Sequence, residues 1–121
     1  LKCIKNNLKF PIHGKGLTKR DFIFDEDFND AFYKVLKKGK PGKIYHFSTN
    51  YYVSIKSIVE IICKSKNVKF QDIVYKVSDR KGKDKYYFLD CNKTSKELKW
   101  TPKNKLIQGL NKTIKYYDKE L

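Results

Sequence analysis

The sequence has no methionine and begins at Leu1. A newly translated chain starts with Met, so the expectation is a piece of a longer or processed protein. No apolar run approaches the roughly 18 residues that cross a bilayer. Leu1-Lys2-Cys3-Ile4-Lys5 carries no apolar segment of a secretion signal. Cysteine is sparse: Cys3, Cys63 and Cys91 lie far apart. That excludes a disulfide framework and a paired-cysteine zinc site, and it fits a reducing, cytoplasmic setting. Neither GxGxxG nor GxxxxGK(S/T) is present, so no glycine-rich loop cradles phosphate. Arginine is nearly missing: 26 of the 28 basic residues are lysine, and the two arginines are Arg20 and Arg80. Acidic residues number 13, leaving a net charge of +15.

What remains is the composition of a folded α/β protein. Hydrophobic residues make up 40% and aromatic residues 15%, too many for a disordered basic tail. The 121 residues suffice for one domain with a modest core. The lysines are spread along the whole chain, the pattern of a generic solvated residue rather than of a basic stripe.

Periodicity sets the expected elements. Phe28, Ala31, Phe32, Val35 and Leu36 predict an amphipathic helix over about 26–38, with Asp25 as its N-cap and Gly39 closing it. Ile44–Phe47 predicts a strand, with His46 as a buried histidine bonded to backbone. Ser54 caps a second helix whose one face is Ile55, Ile58, Val59, Ile62 and Cys63, and Asn67 ends it. Ile73–Val77 predicts a strand, 78–85 a charged loop, and Tyr86–Leu89 a strand or extended segment. Ser95–Leu98 predicts a short helix. A last helix covers about 105–119; Gly109 inside it costs about 1 kcal/mol against Ala, which predicts a close packing partner. Trp100 is expected to anchor the core. Helices thus alternate with short strands.

The order of several short strings resembles one family. Pro11-Ile12-His13-Gly14-Lys15-Gly16, then Arg20-Asp21-Phe22-Ile23-Phe24 and Asp27, resembles the P-x-Y-G-x-G and R-D-F/W stretch of extended short-chain dehydrogenase/reductases acting on nucleotide sugars. Gly39–Phe47 and Ser54–Ile62 resemble that family's G-K-P-G-E-x-Y-N-I entry and its S-I-x-E-L-V-E-x-I helix. Asp79-Arg80-Lys81-Gly82-Lys83-Asp84, with Asp90, Lys93 and Glu97-Leu98-Lys99-Trp100-Thr101-Pro102, resembles D-R-P-G-H-D followed by E-L-G-W-x-P, which points to the dTDP-glucose 4,6-dehydratase branch. Gly109-Leu110 and Thr113–Tyr117 match the family's terminal helix. The likeness covers about residues 8–118.

The resemblance implies an α/β fold: the C-terminal, substrate-binding portion of an extended Rossmann-type nucleotide-sugar enzyme. All of 1–121 forms one such region, and 26–47 packs on a dinucleotide-binding domain outside this sequence. In the family, bound NAD takes a hydride from sugar C4, water leaves across C5–C6, and the hydride returns at C6. The family's NAD-binding turn, its catalytic Tyr-x-x-x-Lys and its Asp-Glu pair have no counterpart here. Tyr52 and Lys56 have the Y-x-x-x-K spacing, but Tyr52 falls before the Ser54 cap rather than within a helix. No residue of this chain is therefore expected to be catalytic. The implied partner is a nucleotide sugar, dTDP-hexose above all, and the whole enzyme is expected to be a homodimer.

The implied substrate residues are Pro11 and His13 against the base, Arg20 and Arg80 on the diphosphate, Lys83 as a further cation, and Tyr117 near the nucleotide. An arginine fork matches two phosphate oxygens, and both arginines of this lysine-rich chain fall on the family's two arginine positions. The alternative is two surface ion pairs, Arg20 with Asp21 and Arg80 with Asp79. Asp27, Asp84 and Asp90 are expected to be structural. Ile55 stands where the dehydratase branch has a nucleotide-contacting Asn, which leaves room for an epimerase or decarboxylase. From another class, a +15 chain with nine Tyr and eight Phe could bind single-stranded nucleic acid, although no signature of such a module is present.

Overall fold

The computed structural model describes residues 1–120. The elements are α1 (Lys2–Lys5), β1 (Phe10–His13), β2 (Lys19–Asp21), α2 (Asp25–Lys38), β3 (Tyr52–Ser54), α3 (Ile55–Ser65), α4 (Phe70–Ile73), β4 (Val74–Val77), α5 (Asn92–Leu98) and α6 (Leu106–Glu120). A one-turn 3-10 segment, Gly14–Gly16, follows β1. β1 pairs with β4, and β2 with β3, as two-stranded sheets. The chain divides into two compact units: Leu1–Arg20, Val53–Tyr87 and the residues from Lys112 on form one, and Asp21–Tyr52 with Phe88–Asn111 the other.

The first unit is built on a parallel pair. β1 and β4 run in register from Phe10 opposite Val74 to His13 opposite Val77. Parallel neighbours need a crossover, and α3 lies between them in sequence. Ser54 caps α3 as its sequence predicts: its Oγ accepts the Ser57 N–H at 3.0 Å. Ile55 N–H donates to the Thr18 carbonyl at 3.1 Å, fixing the start of α3 to the chain before β2. Ile12 and Cys63 are buried in this unit.

The second unit is held by α2 and α5. Ala31, Leu98 and Trp100 form its core, with Ile23, Val35, Tyr45 and Phe47 packed around them. Trp100 is 1% exposed, and its ring stands edge-on to Phe47 at 5.2 Å. Asp27 is buried and structural: its carboxylate accepts the N–H groups of Lys103 at 2.9 Å and Asn104 at 3.0 Å. Asp90 accepts the Asn92 N–H at 2.8 Å, an Asx bond at the entry to α5. Gly109 meets the close partner its cost predicts, since a Cβ there would lie 3.0 Å from Phe24 Cβ.

Several local expectations change. Phe24 rather than Asp25 is the N-cap of α2; Asp25 opens the helix and its carboxylate accepts the Glu26 N–H at 3.0 Å. Ile44–Phe47 is not a strand, and neither is 86–89. No strand of the described residues lies beside 44–47, so a ladder cannot close; the His46 N–H bonds instead to Thr94 Oγ1 at 3.1 Å. His46 is exposed, not buried. Ile73 ends α4 instead of opening β4, and α5 begins at Asn92, three residues before Ser95.

Candidate functional site

Five of the six predicted substrate residues come from β1, β2 and the charged loop that follows β4. Pro11 and His13 lie on β1, opposite Tyr75 and Val77 of β4, and both are half-buried. Side chains alternate along a strand, so Pro11 and His13 share the face opposite to that of buried Ile12. The charged loop leaves the end of β4, directly beside His13. His13 Nδ1 lies 3.2 Å from the Ser78 carbonyl, so the Nδ1–H tautomer donates there.

The far end of the loop is tied to β2. Lys19 N–H donates to the Lys85 carbonyl at 3.1 Å. The Arg20 guanidinium donates to the Lys19 carbonyl at 2.7 Å and to the Asp84 carbonyl at 2.9 Å. Arg20 therefore bonds main-chain carbonyls rather than a carboxylate. Arg80, in the middle of the loop, is exposed. Among the described residues, neither arginine enters an ion pair. The nearby carboxylates are engaged elsewhere. Asp79 lies 3.8 Å from Lys83 Nζ and accepts the Arg80 N–H at 3.0 Å. Asp21, in the second unit, accepts the Ser48 and Thr49 hydroxyls and the Thr49 N–H, the last at 2.6 Å. The two surface ion pairs weighed from sequence do not form.

Tyr117 stands apart from this group. It lines a hollow of about 240 Å³ with Leu1, Ile4, Lys5, Lys66 and Asp118, where Lys66 pairs with Asp118. Tyr52 lies on β3, before α3, and its hydroxyl meets the main chain of Leu89, accepting the N–H at 3.2 Å. It is no member of a helical Tyr-Lys pair. No group of His, Cys, Asp and Glu among the described residues could hold a metal ion. No described helix is long and apolar enough to cross a membrane. The three cysteines are free. Burial pushes the Cys91 thiol up, against a lowering hydrogen bond with Ser48.

Two features, one in each unit, were not read from sequence. One is the seat of Asp79 on Gly14, which joins residues 65 apart. Its only sequence trace is that both flank predicted substrate residues, Gly14 beside His13 and Asp79 beside Arg80. The other is the use of Asp21 as a clamp for residues 48 and 49, which leaves no trace in composition or spacing.

The fold is that of extended short-chain dehydrogenase/reductases. The dTDP-glucose 4,6-dehydratase of Bacillus anthracis, solved in complex with NAD, superposes with a TM-score of 0.88 at 30% identity, over 98% of this chain and 37% of that one. The dTDP-glucose 4,6-dehydratase of Streptomyces venezuelae gives 0.91 at 28% identity, over 98% of this chain and 36% of that one. Residues 1–113 match the family model described as GDP-mannose 4,6 dehydratase, and the chain belongs to that family. It is 38% identical over 117 residues to the dTDP-glucose 4,6-dehydratase of Haemophilus influenzae, covering 88% of this chain and 35% of that protein. It is 35% identical over 122 residues to the human dTDP-D-glucose 4,6-dehydratase, covering 97% of this chain and 35% of that protein. The chain thus spans about a third of the length of these relatives.

Proposed function

We propose that this chain is the nucleotide-sugar-binding, C-terminal part of an NAD-dependent dTDP-glucose 4,6-dehydratase-like enzyme acting in the cytoplasm as a homodimer. Pro11 and His13 pack on the base, Arg20, Arg80 and Lys83 receive the diphosphate, and Tyr117 lies toward the nucleotide. One observation carries this reading. In a chain whose cations are almost all lysine, both arginines are free of carboxylates and belong to one loop-and-strand assembly. An unneutralised guanidinium keeps its full attraction for a diphosphate.

The names of the relatives supply the substrate class. Those matched in sequence are named for dTDP-glucose, and the relatives solved with NAD include dehydratases. NAD and the catalytic groups belong to sequence outside this chain, so the chain alone binds nucleotide without turning over sugar. The surface of 26–47 faces the dinucleotide-binding domain. A 4-epimerase or a decarboxylase is the second reading, favoured by Ile55 at the first position of α3, where no side-chain amide can meet the nucleotide.

Calorimetric titration of the chain with dTDP, UDP and NAD tests the proposal. The expected result is saturable dTDP binding, weakened about tenfold by Arg80→Ala, the loss of one charge-assisted contact, and no NAD binding. UDP bound more tightly than dTDP supports the epimerase reading. No binding of either diphosphate overturns the proposal. Salt-sensitive binding of mixed RNA, without diphosphate binding, replaces it with a nucleic-acid function.

A further inference from the structure

We infer that Gly14 and Asp79 are positioning residues that hold the basic loop so that Arg80 faces its anion. This inference rests on the diphosphate-binding reading of Arg80.

Gly14 stands at the end of β1 with φ +53°, a conformation L side chains rarely adopt. The missing side chain also makes room. A Cβ on Gly14 would lie 2.5 Å from Asp79 Cγ and 3.0 Å from its Oδ1, inside van der Waals contact with a second atom of the same carboxylate. The Asp79 carboxylate therefore rests on the space above the Gly14 backbone. From that seat Oδ1 accepts the Arg80 N–H at 3.0 Å and lies 3.8 Å from Lys83 Nζ.

One carboxylate thus touches the three points that define the loop: the end of β1, the main chain of Arg80, and the second loop cation. The outer ties hold only the ends: His13 to the Ser78 carbonyl, and Arg20 and the Lys19 N–H to the Asp84 and Lys85 carbonyls. Without Asp79, 80–83, the part that carries Arg80 and Lys83, keeps only its own turn at Lys81–Gly82 and no side-chain tie to the strands. A loop preordered before binding avoids the ordering cost at the moment of binding. The anionic charge of Asp79 is a liability beside a diphosphate. Its engagement by Lys83 and by an N–H lessens that repulsion and still leaves Arg80 unpaired.

The test uses the chain with five variants: Arg80→Ala, Asp79→Ala, Asp79→Asn, Gly14→Ala, and Gly14→Ala combined with Asp79→Ala. Titrations with dTDP and with thymidine separate the diphosphate share of binding from the base share. Asp79→Ala is expected to weaken dTDP about threefold or more and to leave thymidine unchanged, with faster amide hydrogen exchange at 80–83. Asp79→Asn keeps an oxygen for the Arg80 N–H and is expected to recover part of the loss. Gly14→Ala is expected to cost less in the Asp79→Ala background than alone, because the clash partner is gone. If Arg80→Ala leaves dTDP binding unchanged, the underlying diphosphate reading fails. If Arg80→Ala weakens binding but Asp79→Ala does not, or if the two Gly14 costs are equal, the positioning inference alone is overturned.

Discussion

Single residues show where this sequence departs from the easiest way to build its fold. Lys99 follows α5 with φ +49° and ψ +49°, the left-handed C-terminal position that favours glycine. The resembled family has glycine there, and lysine instead stores about 1 kcal/mol of backbone strain. Its carbonyl accepts from Lys34 Nζ at 2.8 Å, a bond that needs no Lys99 side chain. Lys99→Gly is therefore expected to raise stability by about 1 kcal/mol, read as a higher urea midpoint at unchanged slope. Cys63 is a second case. Burial pushes its thiol up, Glu60 adds to the rise, and the amino terminus opposes it. The unfolded thiol ionises at lower pH than the folded one. The thiol's contribution is thus complete below the ordinary thiol range and is lost as pH rises through it. Urea titrations at pH 7.5 and 9.5 are expected to show a smaller fall in midpoint for Cys63→Ala than for the parent chain.

Secondary elements follow local rules wherever those rules act within a few residues. The α2 and α3 helices appear where apolar spacing predicts them, and Ser54 caps as a serine before a helix should. Ser54→Ala is expected to cost about 1 kcal/mol, measured by thermal or urea unfolding. Gly109 obeys a different rule. Alanine usually gains about 1 kcal/mol over glycine in a helix. Here the added Cβ would press on Phe24, with ring carbon Cδ2 at 3.2 Å as well as Cβ at 3.0 Å. Gly109→Ala is expected to lower rather than raise the melting temperature, because the close approach of α6 to Phe24 outweighs helix propensity. The failed strand at 44–47 shows the limit of local rules. The mostly apolar run there is that of a buried strand, but a strand exists only beside another strand, and none adjoins it among the described residues.

At the scale of the whole molecule, the outward face of α2 stands out as an exposed apolar surface. Phe28, Phe32 and Leu36 recur at four-residue spacing and are 47%, 54% and 70% exposed; Tyr33 is 56% exposed. Ile44, in the same unit, is 74% exposed. Clustered apolar groups of this size mark a surface that another protein body covers. That agrees with the proposal that 26–47 faces a dinucleotide-binding domain. The chain by itself is expected to self-associate in sedimentation experiments, and Phe32→Lys with Leu36→Lys is expected to restore a monomer with unchanged circular dichroism. A chain that sediments as a monomer without those changes contradicts the proposed interface.

The linear order of motifs was enough to establish the family, the α/β class and the Ser54-capped helix, because each rests on residue identity or on spacing within one element. Trp100 as a core anchor was likewise legible from its size and apolar ring. Only the tertiary structure decided which carboxylate serves which cation. Asp79 and Arg80 are neighbours in sequence, yet the Asp79 side chain turns to Gly14 and Lys83, and Arg20 reaches the Asp84 carbonyl 64 residues away. Hydrogen bonds and ion pairs form between groups that the fold brings within about 3–4 Å, whatever their distance along the chain.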